Sequence, residues 1–558
     1  MEIGIDIGGT FTDGVVISGQ EVLKSIKVPT GADLSLSIER ALKQIMKGVK
    51  PEQIQQITLS TTLMTNLVVQ NNLAKGGLLL IPGPGANPYQ GKFPCVYKVL
   101  RGGVDYRGRI IEHLEMTEVE EACTYFLGKQ VSQVAVACKF SQRNPVLEEQ
   151  IVQYIQEKHP EIRVLASHKV SGLLNWVRRA NGAYFTLTTR EACAVFQENI
   201  KVTLKKLGLQ CSVFILKADG GTLPLEVSLH YPLETIFSGP VASTLGALAC
   251  TEEHITAVVI DMGGTTTDIA LLLDGKPLLA ERGAFINDYP VPVRSLAVTS
   301  LALGGDTPLL LENSQLVLGK RQGPALCLGG PLLTVTDLLV YLGYSDIASP
   351  QLIAAQVEKM ACALQLTPQQ FSDQVLALLW AKVEGELEKM FKSWEEEPAY
   401  RIWQVLSTQE NRPQTMICLG GPATGLGEFW RKKKGWKVII PAYASVANAI
   451  GAALAIPTLK LELFADTERN TYTTSEGGRQ GVLSASLKNT EEAKEFALKL
   501  FRQIARERNL TEDTAWETLY EEGFHLVRGW QTTGKIFQIG LQTVPGIRAF
   551  LKEEAPYV

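Results

Sequence analysis

Asp6-Ile7-Gly8-Gly9-Thr10-Phe11-Thr12-Asp13 opens the chain, and Asp261-Met262-Gly263-Gly264-Thr265-Thr266-Thr267-Asp268 echoes it far downstream. Each copy follows a short β-branched run that predicts a strand, Ile3 to Ile5 in the first and Val258 to Ile260 in the second. Each then leads into another apolar run, Val15 to Ile17 and Ile269 to Leu273. The pattern predicts two β-hairpins with a Gly-Gly-Thr turn at each tip.

Glycine at such a tip lets the backbone take positive φ and approach a ligand closely, so that successive N–H groups can point at one anion. Threonine hydroxyls add donors of the same kind. An aspartate at the strand end is a poor phosphate ligand but a good magnesium ligand, because hard oxygens suit Mg²⁺ and the metal bridges to phosphate. Two such turns facing each other would clamp a triphosphate and its metal from both sides. A single Gly-Gly-Thr turn is ordinary hairpin chemistry. Two copies in the same strand context, with Asp at the same two positions, favour nucleotide binding over a purely structural pair of hairpins.

At 558 residues the chain is long enough for two to four domains. Hydrophobic residues at 45% and charged residues at 20% describe an ordinary soluble globular protein. The net charge of −4 argues against a general nucleic-acid or anionic-membrane binder. The first strand starts without a basic region or apolar leader, and no apolar stretch reaches the length of a membrane span; the small-residue run Ala444 to Pro457 carries Asn448 and is too short. Nine scattered cysteines without a Cys-x-x-Cys pair read as reduced thiols, and a cytoplasmic location is expected.

Strand and helix patterns alternate over the first part of the chain, which predicts an α/β layer architecture. Asp33 to Val49 has helical periodicity, Thr117 with Glu120 reads as a capping box, Val134 to Ala137 is a buried strand, and Asn144-Pro145 opens a helix through Ile155. Ser60-Thr61-Thr62-Leu63-Met64-Thr65-Asn66 is either a helix N-terminus with its caps or the lining of a substrate cleft. Asn175 to Gly208 predicts a long crossover helix. Lys217 to Thr222 is a third glycine-rich strand end. Ser238-Gly239-Pro240 starts a helix through Ala249 whose N-terminus either approaches the phosphates or is simply a tight start. Pro350 to Leu364 and Thr367 to Trp394 are amphipathic helices, the second capped by Thr367 and Gln370. Met416 to Ala423 is a buried strand running into two glycines, and Ser445 to Ile456 is a small-residue helix suited to a close-packed hinge. Beyond Pro457 the pattern changes: Glu462 to Thr474 reads as an exposed strand, Asn489 to Asn509 and Thr511 to Glu522 as helices, and Ile536 to Val544 as a last strand. Gly529 to Lys535 nearly matches a P-loop, but Ile536 occupies the metal-binding Ser/Thr position, so a hairpin turn is predicted there.

Two Asp-Gly-Gly-Thr hairpins, a late Gly-Gly strand end and a small-residue helix resemble the actin, sugar-kinase and Hsp70 ATPase superfamily. Within it the chain resembles the hydantoinase A/5-oxoprolinase family, on Asp6 to Asp13, Thr61-Thr62 with Thr65-Asn66, Asn144-Pro145, Ser238-Gly239-Pro240, Asp261 to Asp268, Gly329-Gly330 with Thr334 to Asp337, and Gly420-Gly421. The resemblance covers about residues 1 to 457. It implies a two-lobed actin-like (ribonuclease H-like) α/β ATPase fold with a cleft between lobes: residues 1–174 carry the first phosphate loop, residues 175–457 the second with the adenosine segment, and residues 458–558 form a small C-terminal α+β appendage.

ATP and Mg²⁺ are the implied cofactors. Asp6 and Asp261 would hold the metal; Gly8, Gly9, Thr10, Thr12, Gly263, Gly264, Thr265 and Thr266 would grip the β- and γ-phosphates; Gly420 and Gly421 would face the adenosine. Thr10 and Thr265 join the two aspartates as the expected catalytic residues, while Asp13 and Asp268 either serve the nucleotide or merely cap the turns. The implied activity is ATP-dependent hydrolysis of a cyclic amide or imide, a hydantoin, 5-oxoproline or a lactam, by phosphorylation of the ring carbonyl oxygen. The chain would act either alone or with a hydantoinase B-like partner subunit, and a homo-oligomer is expected. The alternatives are the ATP-using subunit of a ketone carboxylase and an ATP-switched regulator without small-molecule turnover. One departure stands out: the family usually places His-Gly immediately before the Thr-Thr pair, where this chain has Leu59-Ser60.

Overall fold

The computed structural model describes every residue except 32, 70–72, 86, 281–282, 397–411, 477, 484–485, 509, 511–514 and 553–558. Strands β1 (Glu2–Ile7), β2 (Phe11–Ser18) and β3 (Glu21–Pro29) form an antiparallel meander, because each apolar run is broken by a turn too short for a crossover. β4 (Gln56–Thr61) joins β1 in parallel after helix α1 (Leu34–Ile45), which starts where the Asp33 carboxylate accepts from the Ser35 and Leu36 amides.

The same sheet continues with β5 (Ser212–Leu216), parallel to β4, and β6 (Thr222–Pro224). It therefore runs past the boundary expected at residue 174. A parallel strand requires a crossover, and the expected helix supplies it as α2 (Trp176–Lys206), with the Asn175 side chain capping it by accepting from the Arg178 amide. Between β4 and α2 lies a separate all-parallel sheet of residues 76–81, 96–99, 133–138 and 163–166. Its central strands are buried throughout, as their unbroken apolar runs require.

The second lobe is built on β7 (Ala257–Met262) and β8 (Thr267–Leu273), again an antiparallel hairpin. β9 (Thr415–Leu419) pairs with β7 in parallel, β10 (Lys437–Ile439) pairs with β9, and residues 298–301 pair antiparallel with β8. The long helix Pro368–Glu395, with the expected Thr367–Gln370 capping box, buries Trp380 against this sheet and against Trp430. Helix α3 (Ser238–Ala249) and helix α4 (Ala447–Leu454) cross between the two lobes.

The appendage is a five-stranded antiparallel sheet covered by the helix Thr490–Glu507. Here several expectations are corrected. Residues 516–528 form a strand paired with 531–543, not the second half of a helix; Thr511 to Thr514, its expected start, lie outside the described residues. The charged residues that suggested an amphipathic helix, Glu517, Glu521 and Glu522, are exposed on an edge strand whose aromatic and β-branched residues suit the pleat. The Gly529-Lys535 near-match is the predicted hairpin turn, with Gly529 at φ 61°. Glu462 to Thr474 is two strands, Lys460–Asp466 and Thr471–Thr474, turning at Asn470, and it buries Leu461, Leu463 and Ala465 rather than lying exposed. In the first lobe the capping box expected at Thr117 is absent. That helix begins at Met116, and Glu120 instead accepts from Tyr154 Oη and contacts His159.

Candidate functional site

The two hairpins are built to one plan. Asp6 pairs across the strands with Asp13, and Asp261 with Asp268, at the same step before each turn. Each turn closes with the same bond: Gly8 N–H donates to the Phe11 carbonyl at 3.0 Å, and Gly263 N–H to the Thr266 carbonyl at 2.9 Å. The tips face each other across the lobe boundary. A methyl group on Gly9 would sit 3.9 Å from Thr265 Oγ1, and one on Gly264 would sit 3.3 Å from Thr10 Oγ1.

Asp6 and Asp261 are both buried, at 4% and 7% exposure, and both lean on one side chain. Asn448 Nδ2, at the start of α4, donates to Asp6 Oδ2 at 3.3 Å and to Asp261 Oδ2 at 3.2 Å. Ser243 Oγ on α3 donates to Asp261 Oδ2 at 2.5 Å. Burial pushes the Asp6 carboxyl up to about 7, with Ser60 opposing and the charges of Asp13 and Asp261 adding to it. Burial likewise raises Asp261, against Ser243 and Asn448, and takes Asp268 to about 7. Buried acids crowded in this way favour the neutral form unless a cation arrives.

Among the described residues, Asp6 Oδ1, Thr10 Oγ1, Ser60 Oγ and Asp268 Oδ1 are buried without a well-formed hydrogen bond, although Ser60 lies beside Asp6 and Ser300 beside Asp268. Unpartnered buried oxygens are costly, so their gathering at one cleft fits a ligand site. The donor set suits the expected pair of ligands. Carboxylate oxygens suit Mg²⁺, which takes one or two protein carboxylates and completes its shell with water and phosphate. Glycine amides and a threonine hydroxyl suit phosphate.

Comparison with known proteins follows the same line. A family model described as hydantoinase/oxoprolinase matches residues 179–460, and one for the N-terminal region of that family matches residues 2–159. The chain belongs to the hydantoinase/oxoprolinase family. This family member is 26% identical over 378 residues to the caprolactamase subunit alpha of Pseudomonas jessenii, covering 61% of this chain and 54% of that protein. It is 26% identical over 395 residues to the acetophenone carboxylase gamma subunit of Aromatoleum aromaticum, covering 61% and 53%. The matched part of the chain thus spans about half the length of these two relatives. In fold it is similar to acetone carboxylase in a nucleotide-free structure (TM-score 0.73, 16% identity, 99% of this chain and 88% of that one). It is also similar to the ATP-dependent caprolactamase of Pseudomonas jessenii (TM-score 0.70, 19% identity, 100% and 89%). The mixed α/β fold of this chain is the fold of these two proteins.

Other site residues of this hydantoinase/oxoprolinase-family protein fall into two groups. Asp13 is held by Lys27, whose Nζ donates to its two oxygens at 2.7 and 2.9 Å and to the Ser445 carbonyl at 2.9 Å, and Thr12 Oγ1 lies 2.9 Å from Thr30 Oγ1. Those two residues brace the first turn. The second turn is braced from behind by Gly304 to Thr307: Gly305 and Asp306 N–H donate to the Gly263 and Gly264 carbonyls, and Thr267 Oγ1 donates to the Leu303 carbonyl. Arg321 in turn pairs with Asp306 at 3.0 Å.

The two expected adenosine glycines differ. Gly420, at φ 91°, has no room for a side chain because its Cβ would lie 2.1 Å from the Met262 carbonyl, whereas nothing lies within 4 Å of a methyl on Gly421. Ser238 is occupied: its hydroxyl donates to the Thr61 carbonyl and accepts from the Thr61 amide, tying α3 to β4. Gly239 beside it is open. Leu59 is fully buried in the first-lobe core, while Ser60, register partner of Asp6, shares its side of the sheet. Position 59 thus packs the core, and Ser60 is the residue that meets the acid pair.

Sequence reasoning missed Asn448, Ser243 and Lys27. Asn448 alone carried a trace, as the one amide in a run of small apolar residues.

Proposed function

We propose that this chain is the ATP-using component of an enzyme that opens a cyclic amide or imide by phosphorylating the ring carbonyl oxygen. The observation that supports it is the pair of matched turns meeting across the lobe boundary, with Asp6 and Asp261 held together by Asn448. An amide is a stable electrophile, so coupling its opening to ATP makes physical sense. ATP with Mg²⁺ would supply the phosphoryl group, and transfer of this kind rests mostly on positioning and charge neutralisation.

Asp6 and Asp261 would hold the cation. Gly8, Gly9, Thr10, Gly263, Gly264, Thr265 and Thr266 would bind the β- and γ-phosphates, and Thr12, buried against Thr30, would act only through the turn it braces. The open backbone at Gly421 would take the adenosine, with Gly420 setting its path. Asp13, neutralised by Lys27, is a positioning residue in this reading, and Asp268 tunes the charge of the pair. Ser238 ties α3 to β4 through its two hydrogen bonds with Thr61. The names of two relatives, caprolactamase subunit alpha and acetophenone carboxylase gamma subunit, support a partner subunit of the hydantoinase B type.

The acetophenone carboxylase relative and the acetone carboxylase fold also support a second reading, the ATP-using subunit of a ketone carboxylase. One assay separates the two. ATP turnover by the purified chain, with and without its partner, is measured against a panel of lactams, hydantoins and imides, and against ketones with bicarbonate. Stimulation by a ring amide without bicarbonate supports the first reading, and bicarbonate-dependent turnover with a ketone the second. Asp261→Asn should abolish either.

A further inference from the structure

Away from the phosphate turns, a cavity of about 670 Å³ opens where the first lobe, the 279–294 segment and the appendage sheet meet. That volume is in the range of small-molecule sites. Its lining combines apolar residues, among them Leu279, Val291 and Val293, with nine charged side chains and a few neutral polar ones.

Most of those charges already have partners. Lys217 Nζ lies 3.4 Å from Asp219 and 3.1 Å from Glu234, and donates to the Thr458 carbonyl. Glu476 is paired with Arg508, and Glu462 with Lys460 at 2.7 Å. Arg178 donates to the carbonyls of Ala284 and Val291.

Two lining groups differ from these. Arg294 forms no ion pair among the described residues, and its Nη1 is buried without a hydrogen-bond partner. Glu517, on the exposed edge strand, accepts from the neutral Gln542 amide at 2.5 Å and forms no ion pair among the described residues. Arg294 lies close enough to Asp219, Glu517 and Glu462 for their charges to interact, Asp219 most strongly, yet it forms an ion pair with none of them. A guanidinium left unpaired in a partly buried place is expensive, and its planar fork matches a carboxylate. The five lining carboxylates, Asp219, Glu234, Glu462, Glu476 and Glu517, disfavour a dianion such as a phosphate ester. A ligand that brings its own positive charge meets no such penalty.

We propose that this cavity binds a zwitterionic amino acid, its carboxylate on Arg294, its ammonium toward Glu517 and its carbon chain along the apolar lining residues. The inference makes no use of the phosphate turns. It can therefore be tested on the full chain without nucleotide or magnesium, and failure of the ATP reading would leave it standing.

Calorimetric titration with 5-aminopentanoate and with L-leucine is the test, with pentanoate and pentylamine as single-charge controls. At least one zwitterion should bind, at least tenfold more tightly than either control, and Arg294→Met should weaken it at least tenfold. Absence of binding by both zwitterions, equal binding by a control, or unchanged binding to Arg294→Met would overturn the proposal. Should Arg294→Met fail to fold by circular dichroism, Glu517→Gln on the exposed strand decides. It should weaken the zwitterion tenfold and leave pentanoate unaffected; an unaltered zwitterion affinity there is equally fatal.

Discussion

Asp6 and Asp261 stand at the same step of two separate hairpins and share one donor, the Asn448 side-chain amide, at 3.3 and 3.2 Å. Asn448 thereby ties both acids to the helix that runs between the lobes. Hydrogen bonds to charged groups contribute about 1.5–3 kcal/mol each, and their loss leaves buried oxygens unpaired. Asn448→Ala is expected to cut ATP turnover by roughly tenfold or more and to lower stability by about 1–3 kcal/mol. A coupled ATPase assay and urea unfolding of the same preparations check both.

The raised acids carry a pH signature. A carboxyl whose folded value is near 7 still holds its proton between the ordinary value of 3.8 and about 7, where the unfolded chain has lost it. The folded state binds more protons across that window, so stability falls as pH rises through it and levels off above it, by at most about 1.4 kcal/mol per unit for each group. Asp268→Asn removes one such group. Relative to wild type it should gain stability progressively from pH 4 to 7, by about 1–3 kcal/mol in all. Urea unfolding at pH 5 and pH 7.5, without nucleotide or metal, reads the difference; a difference that does not change with pH would refute the assignment.

Lys27 opposes the burial of Asp13, whose carboxyl is raised by desolvation and lowered by that lysine. Because the lysine side chain is 37% exposed, solvent screens part of the pair. Lys27→Met should destabilise the fold by about 1–3 kcal/mol, chiefly by stranding the carboxylate, and Asp13→Asn on that background should recover part of the loss. A double-mutant cycle in urea measures the coupling.

Two glycines predict opposite outcomes. A methyl on Gly451 would lie 2.0 Å from the Ala242 carbonyl, at the crossing of α3 and α4, while one on Gly421 meets nothing within 4 Å. Gly451→Ala should lower stability by about 2 kcal/mol or more, because helix backbone must move. Gly421→Ala should leave the melting temperature unchanged and weaken ATP binding severalfold if adenosine passes there. Differential scanning fluorimetry with and without ATP separates the two effects.

Both hairpins were legible because everything that makes them is local: a period of two, a glycine pair at the tip and an acid at the strand end. Helices with strong caps, such as the one begun by Thr367 and Gln370, were legible for the same reason. The appendage was not. Its strand at 516–528 spaces Trp516, Tyr520 and Phe524 four residues apart, with Glu517 and Glu521 beside them, which mimics a helical face until its partner strand is known.

From sequence alone came the repeated acid-glycine-threonine turns, the alternation that makes α/β lobes, and the family to which they belong. These depend on neighbours a few residues apart. Tertiary structure decided that Asn448 reaches Asp6 across 442 positions and Asp261 across 187, that Ser60 rather than Leu59 meets the acids, and that Arg294 forms no ion pair among the described residues. Such relations arise only when packing brings distant side chains into one low-dielectric space, and no local pattern along the chain encodes them.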